Sequence, residues 1–250
     1  MSSTSAASGS GTANGAGAEG SARRSRPVIA IDGPAGAGKS TLAAHLARRF
    51  GFLNLETGAM YRALALKAME HDLDFDAEPE LLELAEQTRI ALKPQLEGNL
   101  VLLDGVDVSR RVRDGDVTAA ASRVSVHPRL RQWMVEQQRL LGASGGVVME
   151  GRDIGTVVFP DAEVKIFLDA APEVRGNRRY RQGGEKQDEV TEESVIRELK
   201  ERDARDRGRA ESPLRPAEDA VILDSTALSL DQVLTTAEEI VRSHLGEQMA

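Results

Sequence analysis

From Gly33 to Thr41 the chain reads GPAGAGKST, immediately after the apolar run Val28–Ile31. The spacing Gly33-xxxx-Gly38-Lys39-Ser40 satisfies the phosphate-loop pattern in full. Phosphate oxygens need several donors converging from one side, and a tightly curled backbone supplies them as N–H groups. Glycines permit the curl and the close approach. A helix starting at the loop's end aims its positive N-terminus at the same point. The candidate phosphate-binding residues are therefore Gly33, Pro34, Ala35, Gly36, Ala37, Gly38, Lys39, Ser40 and Thr41. Lys39 is expected to reach the β- and γ-phosphates, and Ser40 to offer its hydroxyl to Mg²⁺.

Arginines and carboxylates gather at further places. The segment VVMEGRDIGT (147–156) sets Glu150, Arg152 and Asp153 just past a strand's end, where open α/β sheets bind ligands. In LETGAMYRAL (55–64), Thr57 stands where it can cap a helix and Arg62 lies one turn in. Arg202, Asp206 and Arg209 share a helical stripe roughly 60° wide. In EVRGNRRYRQ (173–182), Arg175 and Arg179 share a helical face ahead of the polar stretch GGEKQDE, a composition suited to a closing lid. Each group alone also has a plainer reading: a solvated loop ion pair at 150–153, a helix cap at Thr57, a solvated basic helix end at 173–182, and surface pairing on the 202–209 helix worth only ~0.2–0.5 kcal/mol per pair. Together, beside a phosphate loop, they fit a dianionic second substrate gripped by guanidinium forks.

These groups need a scaffold. Val28–Ile31, bounded by Pro27 and Gly33, reads as a buried parallel strand. Leu42, Ala43, Leu46, Ala47 and Phe50 then recur at helical spacing and Gly51 stops the helix. Four more apolar runs, at 52–55, 147–149, 164–168 and 221–223, alternate with helical stretches. This predicts an α/β fold with a parallel five-stranded sheet flanked by helices. The runs at 89–93, 99–103 and 106–108 break the rhythm. With Asp104-Gly105 as a hairpin turn, they predict a small antiparallel insert over about 79–120. The histidines show no metal-ligand spacing, and Trp133 is expected to pack between helices.

The bulk composition narrows the classes. A net charge of -8 and 3% aromatics argue against nucleic-acid binding by a basic footprint or stacking platform. The chain has no cysteine, hence no disulfide framework. That suits a cytoplasmic protein, with a monomer preferred, and no run approaches the ~20 apolar residues that span a bilayer. Residues 1–26 are Ser/Gly/Ala-rich with a basic end and are expected to be a disordered tail. A Ser-rich, acid-poor leader also has the composition of a transit peptide.

The segments IDGPAGAGKST, TGAMYRALAL, VSVHPRLRQ, EGRDIGTVVFPDAEVKIFLDA, ELKERDARDRGRAESPL and AVILDST carry a specific resemblance. From about Pro27 to its C-terminus the chain resembles the bacterial cytidylate kinase family. That resemblance implies a P-loop NTPase fold over 27–250, with a nucleoside-monophosphate (NMP)-binding insert and a short lid over about 173–190. It implies phosphorylation of CMP and dCMP by ATP with Mg²⁺, in pyrimidine metabolism. Arg62, Arg152 and Arg209 then match the residues gripping the monophosphate. Ser122, Arg131 and Asp153 match the cytosine readers, Arg202 and Asp206 the sugar contacts, and Arg175 and Arg179 the lid arginines that approach ATP. Cytosine offers an amino donor and ring acceptors, so Asp153 or Ser122 as acceptor and Arg131 as donor are chemically apt. Glu56 stands where the family commonly has aspartate.

Two other readings use the same loop. A UMP or AMP kinase needs only a different base reader. A nucleotide switch is disfavoured by the absence of an N-K-x-D guanine reader and by the number of arginine sites.

Overall fold

The computed structural model describes residues 24–95, 98–183 and 191–246. Most of the predicted 1–26 tail and the end of the 173–190 lid lie outside these residues. The main sheet consists of β1 (Val28–Asp32), β2 (Leu53–Glu56), β6 (Val147–Glu150), β7 (Val164–Asp169) and β8 (Val221–Asp224). Its order is β2-β6-β1-β7-β8, every pair parallel. The chain leaves β1 to either side, and the crevice at such a reversal is where doubly wound sheets hold ligands.

Both faces of the sheet are covered. On β1, Ile29 and Ile31 point to the face packed by α1 (Lys39–Phe50) and α8 (Leu230–Leu245). Val28 and Ala30 point to the other, as strand alternation requires. That second face carries α2 (Thr57–Glu70), α3 (Glu78–Glu86), α4 (Gly115–Val124) and α5 (Pro128–Gly142). Trp133 packs at its margin.

The antiparallel sheet forms from β3 (Ile90–Gln95), β4 (Gly98–Leu103) and β5 (Val106–Asp107). Asp104 and Gly105 turn the hairpin with φ of 50° and 89°, the doubly positive signature of a type I′ turn. Among the described residues this sheet has no core of its own. Leu92, Val101 and Leu103 join Ala63 and Leu64 of α2 in one apolar cluster. Asn99 stitches it to the main sheet: its amide donates to the Asn54 carbonyl at 2.7 Å and its oxygen accepts from the Glu56 N–H at 2.9 Å.

Two further helices among the described residues are α6 (Pro172–Gly183) and α7 (Glu192–Arg207). Thr191 and Ser194 form a reciprocal capping box at the start of α7.

Candidate active site

The loop between β1 and α1 wraps tightly against β7. A Cβ on Gly33 would lie 2.0 Å from the Leu168 carbonyl oxygen, so only glycine fits. Gly38 caps α1 at φ 101°, a backbone state that other residues rarely adopt. Lys39 is buried and donates to the Pro34 carbonyl at 2.8 Å, folding its ammonium back over the loop. Ala35, Gly36, Gly38, Lys39, Ser40 and Thr41 line a cleft of about 300 Å³. Gly33 and Pro34 act from behind as its backbone support.

The opposite walls come from four directions. Helix α2 contributes Thr57, Tyr61 and Arg62, and α5 contributes Arg131. The turn after β6 brings Glu150, Arg152 and Asp153; α6 and α7 bring Arg179, Arg202 and Asp206; and Arg209 follows. The expected stripe on one helix is corrected in one respect. Helix α7 stops at Arg207, and Arg209 returns to the cleft from the coil beyond it. Its guanidinium pairs with Asp206 and donates to Ser125 Oγ at 2.8 Å.

Seven cationic side chains and four carboxylates line this cleft, in a chain whose net charge is -8. The crowding of positive charge leaves its mark. Burial and the Arg152 and Arg202 guanidinium groups lower the Lys39 ammonium to about 7, against the pull of Glu150 and Asp32. Burial and the arginines at 152, 62 and 179 lower Arg202 to about 9, against the pull of Asp206. Among the described residues, Arg62 Nε, Arg202 Nε, and Arg209 Nε and Nη1 are buried without an acceptor. Unpaired buried donors are costly, and anionic ligands would supply the missing acceptors.

Arg131 and Asp153 form a deeply buried pair, Nη2 to Oδ2 at 2.5 Å, with Arg131 Nη1 on the Ser125 carbonyl at 3.0 Å. The Tyr61 ring lies beneath the Arg131 guanidinium at 5.5 Å. Ser122 stands behind this wall, its hydroxyl buried and without a partner among the described residues.

Two residues are placed otherwise than expected. Thr57 does not cap α2. Glu56 is the N-cap residue but makes no side-chain capping bond, its carboxylate accepting from the Arg62 guanidinium instead, while the Thr57 hydroxyl donates to the Glu150 carbonyl at 2.7 Å. Arg175 does not face the cleft beside Arg179. Only 2% exposed, it donates from Nε to the Ala170 carbonyl at 2.8 Å and from Nη1 to the Ala35 carbonyl at 2.9 Å, and pairs with Asp203 at 2.6 Å. It is a strut beneath the phosphate loop. Four residues apart on a helix leaves an offset of about 40°, and packing of α6 on α7 buries the one and leaves the other at the cleft.

Tyr61 and Ser125 line the cleft without having been expected there, and Glu150, expected at the strand's end, carried no assigned role. Glu150 closes the strand beside β1, in register with Glu56 across β2. Burial and the neighbouring Glu56 raise its carboxyl to about 7, against Lys39 and Ser40. Its Oε1 is buried without a partner among the described residues. An acidic residue ending an apolar strand next to the phosphate-loop strand was the available signal.

A family described as cytidylate kinase matches residues 29–243. A cytidylate kinase of Aeromonas hydrophila subsp. hydrophila is 48% identical over 221 residues, 88% of this chain and 96% of that protein. One from Vibrio cholerae serotype O1 is 47% identical over 88% of this chain and 97% of its own length. One from a Geobacter species is 45% identical over 90% and 97%.

Proposed function

The chain belongs to the cytidylate kinase family, and from that premise we propose how its cleft moves a phosphoryl group from ATP to CMP, and to dCMP. It is a nucleoside-monophosphate kinase, and ATP is the donor its family uses. The match sets the UMP-kinase, AMP-kinase and nucleotide-switch readings behind CMP phosphorylation.

In this reading ATP phosphates lie on the loop from Gly33 to Thr41, and the CMP phosphate lies against Arg62, Arg152 and Arg209. An oxygen of the CMP phosphate attacks the γ-phosphorus in line. The bond from that phosphorus to the β–γ bridging oxygen breaks, and ADP leaves with the electron pair. The attacking oxygen is already anionic, so no strong base is required. Positioning and charge stabilisation carry the rate. Lys39 and Arg179 stand where charge builds on the transferring group, and Arg175 holds the loop carbonyl from below.

Asp153 and Arg131 are assigned to the base, with Ser122 behind them, and Arg202 and Asp206 to the sugar. An acceptor at Asp153 or Ser122 suits the cytosine amino group and meets an oxygen in uracil, which leaves buried polar groups unmatched. The orphaned Ser122 hydroxyl supports this placement.

Mg²⁺ fits the residues present. The Ser40 hydroxyl and the unpartnered Glu150 oxygen are the hard oxygen donors such an ion takes, alongside phosphates and waters. When bound it would neutralise charge on the donor phosphates. The insert (79–120) and the lid (173–190) are read as the units that close over the two nucleotides and exclude water. The enzyme is read as a cytoplasmic monomer acting on small nucleotides and not on nucleic acid. No helix among the described residues is long and apolar enough to cross a membrane.

The observation that carries the proposal is the ring of buried guanidinium N–H groups lacking acceptors opposite the phosphate loop. The test is a panel of CMP, dCMP, UMP and AMP at equal concentration, read by coupled ADP release. Turnover dominated by CMP and dCMP is expected. Equal turnover with UMP, or ADP release without any monophosphate, would refute the assignment.

A further inference from the structure

Asp32 ends β1 and immediately precedes Gly33 of the phosphate loop. It is 5% exposed and has no part in the transfer described above. Its two oxygens each accept one backbone N–H, from Ile154 at 2.8 Å and from Gly155 at 2.7 Å. These amides head the π-helical turn Ile154–Val158, whose first N–H groups have no partner within the turn. One residue earlier on β1, the Ile31 carbonyl accepts the Gly151 N–H at 2.9 Å. The end of β1 therefore holds the 151–155 segment at three points, and Arg152 and Asp153 lie between them. The fit is close: a Cβ on Gly155 would meet Lys165 Cδ at 3.2 Å and Asp32 Oδ2 at 3.5 Å.

We propose that Asp32 is a positioning residue for the acceptor nucleotide. It clamps the Arg152–Asp153 segment to the strand from which the phosphate loop springs, and so fixes the spacing between the two nucleotide sites. Burial and Asp153 push the Asp32 carboxyl up to about 6 against the two N–H bonds and Lys39, so at neutral pH both oxygens remain available as acceptors. The inference rests on the assignment of Arg152 and Asp153 to the acceptor site.

Asp32→Asn tests it. The amide is isosteric, but its NH2 would face an N–H donor and one of the two bonds is lost. The KM for CMP is expected to rise about tenfold or more, the weight of one hydrogen bond to a charged group. The Kd of a non-hydrolysable ATP analogue stays within about twofold. Amide exchange at Ile154 and Gly155 quickens, while Ala30 and Val148 in the neighbouring strands keep their protection. Parallel loss of both affinities, or no change in the CMP constant, overturns the proposal. Arg152→Ala is run alongside. If it too leaves the CMP constant unchanged, the acceptor assignment has failed; if it alone raises that constant, only the role of Asp32 has. Should Asp32→Asn not fold, Asp32→Glu keeps the charge and both acceptors but displaces them by one methylene. The same selective rise for CMP is expected, and an equal change for both nucleotides contradicts it.

Discussion

Asp206 holds two arginines at once: Arg152 Nε donates to its Oδ2 at 2.9 Å, and Arg209 Nη2 pairs with its Oδ1. One arginine comes from the turn after β6 and the other from beyond α7. A single buried carboxylate thus gathers the proposed phosphate grip from two distant parts of the chain. Asp206→Asn leaves the guanidinium groups close together without their shared counter-charge. The KM for CMP is expected to rise at least tenfold, on the scale of a lost charge-assisted bond. An unchanged CMP constant in steady-state assays would show that the arginines find their places without it.

The same residue sets a pH dependence. Burial pushes the Asp206 carboxyl up, but the guanidinium groups of Arg152, Arg209 and Arg202 outweigh it and hold it below the ordinary carboxylate range. A pKa lower in the folded than in the unfolded state contributes stability above the unfolded value, about 3.9 for aspartate, and loses it as the pH falls toward the folded value. Acid unfolding followed by circular dichroism should show Asp206→Asn with a shallower loss of stability below about pH 4. Identical acid limbs would remove Asp206 from the account of acid stability.

Arg131 and Asp153 are 3% and 6% exposed at their side chains. Removing one member of such a pair leaves a buried charge, at a cost of about 3–5 kcal/mol. Asp153→Ala is therefore expected to lower the urea midpoint sharply, and to narrow the preference for CMP over UMP in what still folds. A mutant that unfolds early yet keeps the full preference would make Asp153 structural only.

Arg175 and Arg179 separate two roles that one helical face had suggested were shared. Arg175→Ala frees the Ala35 carbonyl and strands the Asp203 carboxylate. Stability and the KM for ATP should both suffer, more than the KM for CMP. Arg179→Ala should leave the melting temperature within a degree or two and lower kcat instead. Finding the kcat effect at Arg175 and the stability effect at Arg179 would reverse the assignment.

Much of this was legible in the residues. The phosphate loop announces itself because its glycines, lysine and hydroxyls are fixed by backbone geometry within nine positions. The β4–β5 hairpin was legible from Asp104-Gly105, since few residue pairs accept two positive φ angles. Parallel strands were visible as short apolar runs. The direction of individual side chains was not. Helical spacing equates Arg175 with Arg179, and only the packing of α6 on α7 distinguishes them. Thr57 looked like a cap because the local sequence cannot show that the Glu150 carbonyl lies within reach. Asp32 and Glu150 draw their importance from residues more than ninety positions away in the chain, and no local pattern records such a contact.

In the proposed function the cleft holds two anionic nucleotides on separate supports, one on backbone amides and one on guanidinium groups. Arg152→Ala, assayed for CMP and ATP constants on one preparation, tests it most directly. The KM for CMP should rise about tenfold to a hundredfold, with ATP-analogue affinity essentially unchanged. Equal weakening of both nucleotides, or of ATP alone, would contradict it.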